Sequence, residues 1–444
     1  MTKDLSSGSI SKSLLLFALP MILGNLLQQF YNITDTMIVG RYLGKNALAA
    51  VGSSFTLMTF LTSIILGLAM GSGVLISVKY GEKDTQGLRR ASSSSFFIIL
   101  LVSIILILFS YSLLNSLKKL MNIPDEVWPE MREYLMVIFS GIIAVFLYNW
   151  FSSFLRALGN SKTPLIFLGI STLLNVILDI LFIIVFQRGV KGAAEATVIS
   201  QYIAGMGVAV YTLKVSKESR FSINFVDKKT MGVVTKYSFL TCLQQSVMNL
   251  GILMVQGKVN SFGPVVMAAF STGVKIDAFA YMPLQDYGNA FSTFTAQNYG
   301  AGKKDRIRKG MSIAFTSSLL FSLVISIVIF ICSPSLMSLF IEEGEIIKIG
   351  TEYLRIEGIF YALIGFLFLF YGLYRAVGKP AVSFVLTIIS LGTRVLLSYT
   401  LPNIPTIGIY GIWWSIPIGW FIADITGILV FIRKNPLSKL QAII

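Results

Sequence analysis

The sequence predicts an all-α polytopic membrane protein, with twelve transmembrane helices arranged in two pseudo-twofold-related six-helix lobes. Three observations carry this prediction. The 444 residues are 55% hydrophobic and only 13% charged, with a mean hydropathy of +0.77, far from the balance of a soluble domain. Apolar runs recur that are each long enough to cross about 30 Å of hydrocarbon. A single shift then aligns the first half of the chain with the second.

The runs of the first half lie at 13–39, 47–78, 91–117, 131–155, 163–187 and 192–213, and those of the second at 233–257, 265–298, 310–340, 355–376, 381–401 and 408–432. Alternating ten-residue strands are not the pattern, which argues against an outer-membrane barrel. The first run contains Pro20, which removes a backbone donor and clashes with the carbonyl one turn back, so a kink near Leu16 to Pro20 is expected. A bendable first helix is a candidate gate. No cleavage site follows the basic N-terminus, so the first helix is expected to be retained. Cys242 and Cys332 fall within apolar runs and pack as small hydrophobes, with no disulfide framework.

A shift of 219 residues places Ala49-Ala50 on Ala268-Ala269 and Tyr80-Gly81 on Tyr299-Gly300. It also places Arg156-Ala-Leu-Gly159 on Arg375-Ala-Val-Gly378, and Gly189-Val-Lys-Gly192 on Gly408-Ile-Tyr-Gly411. Six helices per half is an even number, so both halves enter the membrane from the same side and the repeats are parallel. The expected organisation is an N-terminal lobe at 1–213, a basic cytoplasmic linker at 214–236 and a C-terminal lobe at 237–444. In such folds, substrate and ion sites lie near the bilayer midplane, and rocking of the lobes alternates access.

The formal charge of +15 is explained by topology. With the N-terminus cytoplasmic, most of the 36 basic residues fall on the cytoplasmic side, among them Lys3, Lys12, Arg89, Arg90, Lys217, Arg220, Lys303, Arg306, Arg433 and Lys439. That is the positive-inside pattern and puts both termini in the cytoplasm of a multi-pass cell-membrane protein. The basic excess reports orientation and contact with anionic membrane lipids, with no nucleic-acid partner. A monomer is expected.

In the first run no Lys, Arg, Asp or Glu occurs from Ser13 to Thr34, yet Asn25, Gln28, Asn32 and Asp35 recur at spacings of three, four and three, on one helical face. Such amides can simply join two helices. An ionisable residue within a span more often faces a cavity, an ion path or a proton relay. On the fifth helix Asn175 and Asp179 are four apart and share a face. Under the repeat, Asp35 and Asp179 fall on Met254 and Ser398, so one half has no counterpart carboxylates and the coupling site is expected in the N-terminal lobe.

The other charges assigned to the spans are Asp277, Asp286, Asp424, Lys275 and Arg394. Lys275, Asp277 and Asp286 are candidates for either structural pairing or substrate contact, as are Tyr31, Asn32 and Gln28 for the substrate cavity. Arg394 and Asp424 are expected to pair with each other. With no histidine in the chain, a proton relay has to use carboxylates, and sodium would use the same oxygen donors. Zinc-protease and Ser-His catalysis are excluded by the missing histidine. Gly300-Ala-Gly302-Lys303 lacks the spacing and the Ser/Thr of a phosphate loop, so the chain is not expected to be an ATP-driven pump, an enzyme, or a holder of any cofactor beyond a coupling H⁺ or Na⁺.

With two parallel six-helix halves, the polar first helix and the repeated Arg-Ala-Leu/Val-Gly motifs, the chain resembles the multidrug and toxic compound extrusion (MATE) transporters of the prokaryotic branch across essentially its full length. Pro20, Asp35, Asn175, Asp179 and Thr197 match that branch's N-lobe cation or sodium site. The resemblance implies a secondary active antiporter that exports lipophilic, often cationic small molecules in exchange for protons or sodium by alternating access. The sequence departs from the branch with acidic residues on helices seven and ten: Gln244 and Gln245 stand in helix seven, and helix ten from Ile359 to Tyr374 has no carboxylate. The alternative is a lipid-linked precursor flippase of the same superfamily, whose polyanionic substrate would require a basic cavity. The spans counted here hold five acids against two bases.

Overall fold

A computed structural model of the chain describes residues 4–120, 123–216, 222–434 and 436–437. Lys3, Lys217, Arg220, Lys439 and part of the expected linker therefore lie outside the described residues. Helices dominate and no strand occurs among the described residues. The first half contains α1 (Ile10–Leu43), α2 (Lys45–Glu82), α3 (Thr85–Leu120), α4 (Trp128–Ile138), α5 (Ile142–Ala157), α6 (Lys162–Asp179) and α7 (Gly189–Val215). The second contains α8 (Lys228–Asn260), α9 (Pro264–Gly300), α10 (Lys304–Ser338), α11 (Gly344–Ile359), α12 (Tyr361–Ala376), α13 (Pro380–Thr400) and α14 (Tyr410–Lys434). Among these, 11 stretches are long and apolar enough to cross a membrane, with Trp128–Ala157 acting as one. Taken together, the pair α11 and α12, bent by 53° at Phe360, is also long and apolar enough to cross, as a twelfth stretch.

The backbone carries the duplication as clearly as the sequence does. Left-handed residues recur in pairs at the same offset: Gly44 (φ 88°) with Gly263 (97°), Gly159 (83°) with Gly378 (83°), and Gly189 (61°) with Gly408 (52°). The fourth pair is Lys83 (60°) with Gly302 (72°), where one half uses a lysine for a turn that favours glycine. Next to Lys83, Asp84 accepts the Gly87 N–H at 2.8 Å and the Lys79 ammonium at 3.3 Å. The Gly87 bond is the largest influence on this carboxyl and holds it below the usual range.

By contact the chain groups into two units, one of Leu19–Cys242 and one of Leu5–Ala18 with Leu243–Ile443. Both changes of unit fall inside helices, in α1 immediately before Pro20 and in α8 after Cys242.

In the first unit, Gly67 and Gly71 of α2 sit against the start of α8. A Cβ added at Gly67 would meet the Cys242 Cα at 2.5 Å, and one at Gly71 the Tyr237 carbonyl oxygen at 2.6 Å. Small residues four apart allow backbones to approach this closely. The α2–α5 contact is tied by Ser153 Oγ, which donates to the Ala69 carbonyl at 2.7 Å. Ile223–Phe225, the described part of the connection between halves, lies on α3, where the Ser222 N–H donates to Ser93 Oγ at 3.2 Å.

In the second unit, Gly288 of α9 and Gly372 of α12 hold the places of Ala69 and Ser153, and here the contact is backbone on backbone: a Cβ at Gly372 would lie 2.5 Å from the Gly288 carbonyl oxygen. The N-terminal segment also belongs to this unit. Leu5 is fully buried, its N–H donates to Gln297 Oε1 at 3.0 Å, and Lys303 and Arg306 donate to the Ser6 and Ser7 carbonyls, each at 2.7 Å. Cys242 and Cys332 are both free thiols.

Candidate functional site

The first unit brings the polar face of α1 against α6 and α7. Asp35 is 8% exposed and Asp179 fully buried, and their carboxyl groups lie within hydrogen-bonding reach of each other. Asn175, one turn before Asp179 on α6, links the pair to α7. With its amide turned as its neighbours require, it donates to Asp179 Oδ2 at 3.0 Å and accepts the Thr197 N–H at 3.2 Å. Tyr31 Oη and Thr197 Oγ1 are 3.2 Å apart, which closes the ring back to α1. Asp35, Asn175, Asp179, Thr197 and Tyr31, scattered over three helices in the sequence, thus form one cluster.

Two local features build it. The α6 helix widens immediately after Asp179 into a π-helical turn at Ile180–Val185, a distortion that occurs frequently at functional sites. Tyr134 of α4, which the sequence reading did not single out, is buried within electrostatic reach of Asp35, Tyr31 and Asp179. Only its position four residues before Ile138 on a core-facing stripe could have suggested burial, and nothing suggested these neighbours.

The chemistry of the cluster is that of unmatched acid. Asp35 Oδ1 and Asp179 Oδ1 are shielded from solvent and lack a hydrogen-bond partner. Among the described residues neither carboxylate forms an ion pair with Lys or Arg. Two neighbouring buried carboxylates without a cation are costly when both are charged. A proton or a small hard cation taking the orphaned oxygens relieves that cost, with Asn175 and Thr197 as further oxygen donors. Among the described residues there is no group of three or more acids, Cys or His that would hold a tightly bound metal.

Beside the cluster is a cavity of about 250 Å³ that extends along α1 from Pro20 through Asn25 and Gln28 to Tyr31, with Asn175 and Thr197 in its wall. Asn32, expected with these residues, is half-buried and does not line it.

The second unit contains a different arrangement, and three expectations change there. The stretch from Ile359 to Tyr374 holds no carboxylate, but Glu357 just before it, at the end of α11 ahead of the bend, is 1% exposed and lies within hydrogen-bonding reach of Asp277 on α9. It is a sixth buried acid, beyond the five counted from the sequence. Tyr353 donates to Glu357 Oε2 at 2.9 Å and Tyr361 to Asp277 Oδ1 at 2.6 Å. Among the described residues Arg394 forms no ion pair with Asp424, nor with Asp277 or Glu357, and its Nε lacks a hydrogen-bond partner; its charge is felt at Asp277 and Glu357 from a distance. Asp424 is 4% exposed and both its oxygens lack a hydrogen-bond partner. Lys275 is exposed and stands apart from Asp277, because residues two apart point to different sides of a helix. Asp286 is buried more than two turns further along α9 and is not part of this group.

The MatE family model matches the chain twice, at residues 20–181 and 238–400. The chain belongs to this family. The two matches follow the duplicated halves. Among its relatives is the probable multidrug resistance protein YpnP of Bacillus subtilis, 34% identical over 388 residues that cover 87% of each chain. The probable multidrug resistance protein NorM of Thermotoga maritima is 27% identical over 91% of this chain and 88% of that one. The fold is that of solved MATE structures: an outward-facing multidrug resistance MATE transporter of the MOP superfamily superposes with a TM-score of 0.92 over 98% of both chains at 23% identity.

Proposed function

We propose that this MatE-family protein is a secondary active antiporter of the cell membrane, with both termini cytoplasmic, which exports lipophilic, often cationic compounds while protons or sodium move inward. The observation that carries the reading is the pair Asp35 and Asp179: two buried carboxyl groups without a basic partner, beside a cavity of mixed apolar and polar lining in the same unit. The names of the relatives, multidrug resistance proteins, agree with it.

In this mechanism Asp35 and Asp179 alternate between a loaded state, neutralised by a proton or by sodium held with Asn175 and Thr197, and an empty state that carries two negative charges. The ion's binding energy biases one arrangement of α1 over another, because a ligand shifts an equilibrium only by its differential affinity for the two states. Pro20 supports a role for α1 as the moving element, since proline weakens the hydrogen-bond ladder where α1 passes from one contact unit to the other. The membrane potential contributes about 2.3 kcal/mol per charge per 100 mV, which corresponds to roughly fortyfold accumulation per charge. The second unit differs in that the Arg394 guanidinium lies within electrostatic reach of Asp277 and Glu357, although it forms no ion pair with them.

The test is dye efflux from proteoliposomes of the full chain under separately imposed proton and sodium gradients. Efflux driven by one of them is expected and identifies the coupling ion. Flux of no tested compound under either gradient would overturn the reading.

A further inference from the structure

The duplication places Arg156 and Arg375 at equivalent positions, and their surroundings differ. Arg375 is 5% exposed; its Nε donates to the Tyr371 carbonyl at 3.2 Å and its Nη2 to Asn289 Oδ1 at 3.0 Å. The protein itself uses that guanidinium. Arg156 lines the 250 Å³ cavity, and its Nε is shielded from solvent without a hydrogen-bond partner. Among the described residues no carboxylate forms an ion pair with it. An arginine in the last turn of a helix does complement the carbonyl end of that helix, but this leaves a buried donor unsatisfied, which is unfavourable.

The geometry gives this donor a direction. No other charged side chain lines the cavity, whose wall is otherwise built of amides, hydroxyls and apolar groups. The α5 wall runs from Ala144 to Arg156, a rise of roughly 18 Å. Gly141, just before its start, abuts Val198 on α7, next to Thr197. The guanidinium therefore stands at the end of the cavity away from the Asp35–Asp179 cluster, with Tyr148 and Asn149 on the wall between. A planar five-donor fork at one end of an elongated, otherwise uncharged cavity is complementary to a carboxylate, which it can bind through two parallel hydrogen bonds.

We propose that Arg156 anchors the carboxylate of an amphiphilic substrate, so that this cavity selects carboxylate-bearing compounds, zwitterionic or anionic, over their uncharged-ester counterparts. The proposal rests on the exporter reading for its biological sense but is tested without transport. In it the body of the substrate lies along Asn149, Gln201 and the amides of α1, and the end remote from the carboxylate points to the acidic cluster.

Rhodamine 110, which has a free carboxylate, and rhodamine 123, its methyl ester, share one ring system. Their binding to the purified full chain in lipid nanodiscs is read by fluorescence anisotropy, with no gradient present. The wild-type protein is expected to bind rhodamine 110 the more tightly. Arg156→Gln is expected to weaken rhodamine 110 about tenfold and rhodamine 123 less than twofold, and Arg156→Lys, which keeps the charge but not the fork, to fall between. Retained binding of the ester shows that each variant is folded. Equal loss for both dyes, no loss for either, or a wild-type protein without preference for the acid overturns the assignment. Arg156-dependent selectivity without gradient-driven flux would instead sustain the site and refute export.

Discussion

Arg394 occupies in the second half the position of Asn175 in the first, 219 residues apart, so that a half-buried guanidinium lies within electrostatic reach of Asp277 and Glu357 where the first half has an amide bonded to Asp179. This exchange separates the two units chemically. The acids of the second unit have a positive charge within electrostatic reach, whereas among the described residues those of the first have no ion pair with Lys or Arg.

Removing that charge should therefore be unfavourable. Arg394→Gln takes away the positive charge within reach of the buried Asp277 and Glu357 and is expected to lower the thermal unfolding midpoint of the purified protein. Adding Asp277→Asn to Arg394→Gln should recover part of the loss. A midpoint unchanged by Arg394→Gln would show that the guanidinium does not serve these acids.

The close approach of α2 to α8 predicts a second loss, steric in origin. With only 2.5 Å between a Cβ at Gly67 and the Cys242 Cα, Gly67→Ala must push two backbones apart, at roughly 1–3 kcal/mol for overpacking. Gly52, with nothing within 4 Å of its added Cβ, serves as the control in the same helix, and Gly52→Ala should leave the midpoint unchanged or slightly raised. Equal effects of the two alanines would contradict the packing described here.

Lys83 and Gly302 offer a test of the duplication itself. Both are left-handed, and a lysine there is strained by about 1 kcal/mol relative to glycine. Lys83→Gly is expected to stabilise and Gly302→Lys to destabilise by similar amounts in chemical denaturation. Opposite signs in the two halves are the signature; the same sign in both would refute the equivalence of the two turns.

Much of the first unit's cluster was legible because its signal is local. A charge-free run interrupted by amides and one acid at helical spacing fixes a face, and Asn175 with Asp179 fixes a second. What spacing does not fix is the rotation of one helix against its neighbour, which is why adjacency in sequence suggests an Arg394–Asp424 pair that the two side chains do not form. Glu357 was passed over because it sits one turn inside its span, at a bend that sequence periodicity does not mark. A usable signal was present: Tyr353 and Tyr361 flank it at four residues on either side, the spacing of one helical face. The unpartnered Nε of Arg156 had no sequence signal, since Arg375 stands in the same motif and its Nε is hydrogen-bonded.

The most direct test of the central claim is gradient-driven dye accumulation by Asp35→Asn, measured beside the wild-type protein in the same proteoliposomes. The substitution keeps the shape of the side chain and removes the charge that a proton or sodium neutralises. The expected result is an accumulation ratio that collapses to about one, against up to roughly fortyfold per charge at 100 mV for the wild type, with an unchanged unfolding midpoint and retained dye binding. Undiminished gradient-driven accumulation by Asp35→Asn would contradict the assignment of Asp35 as the coupling carboxylate.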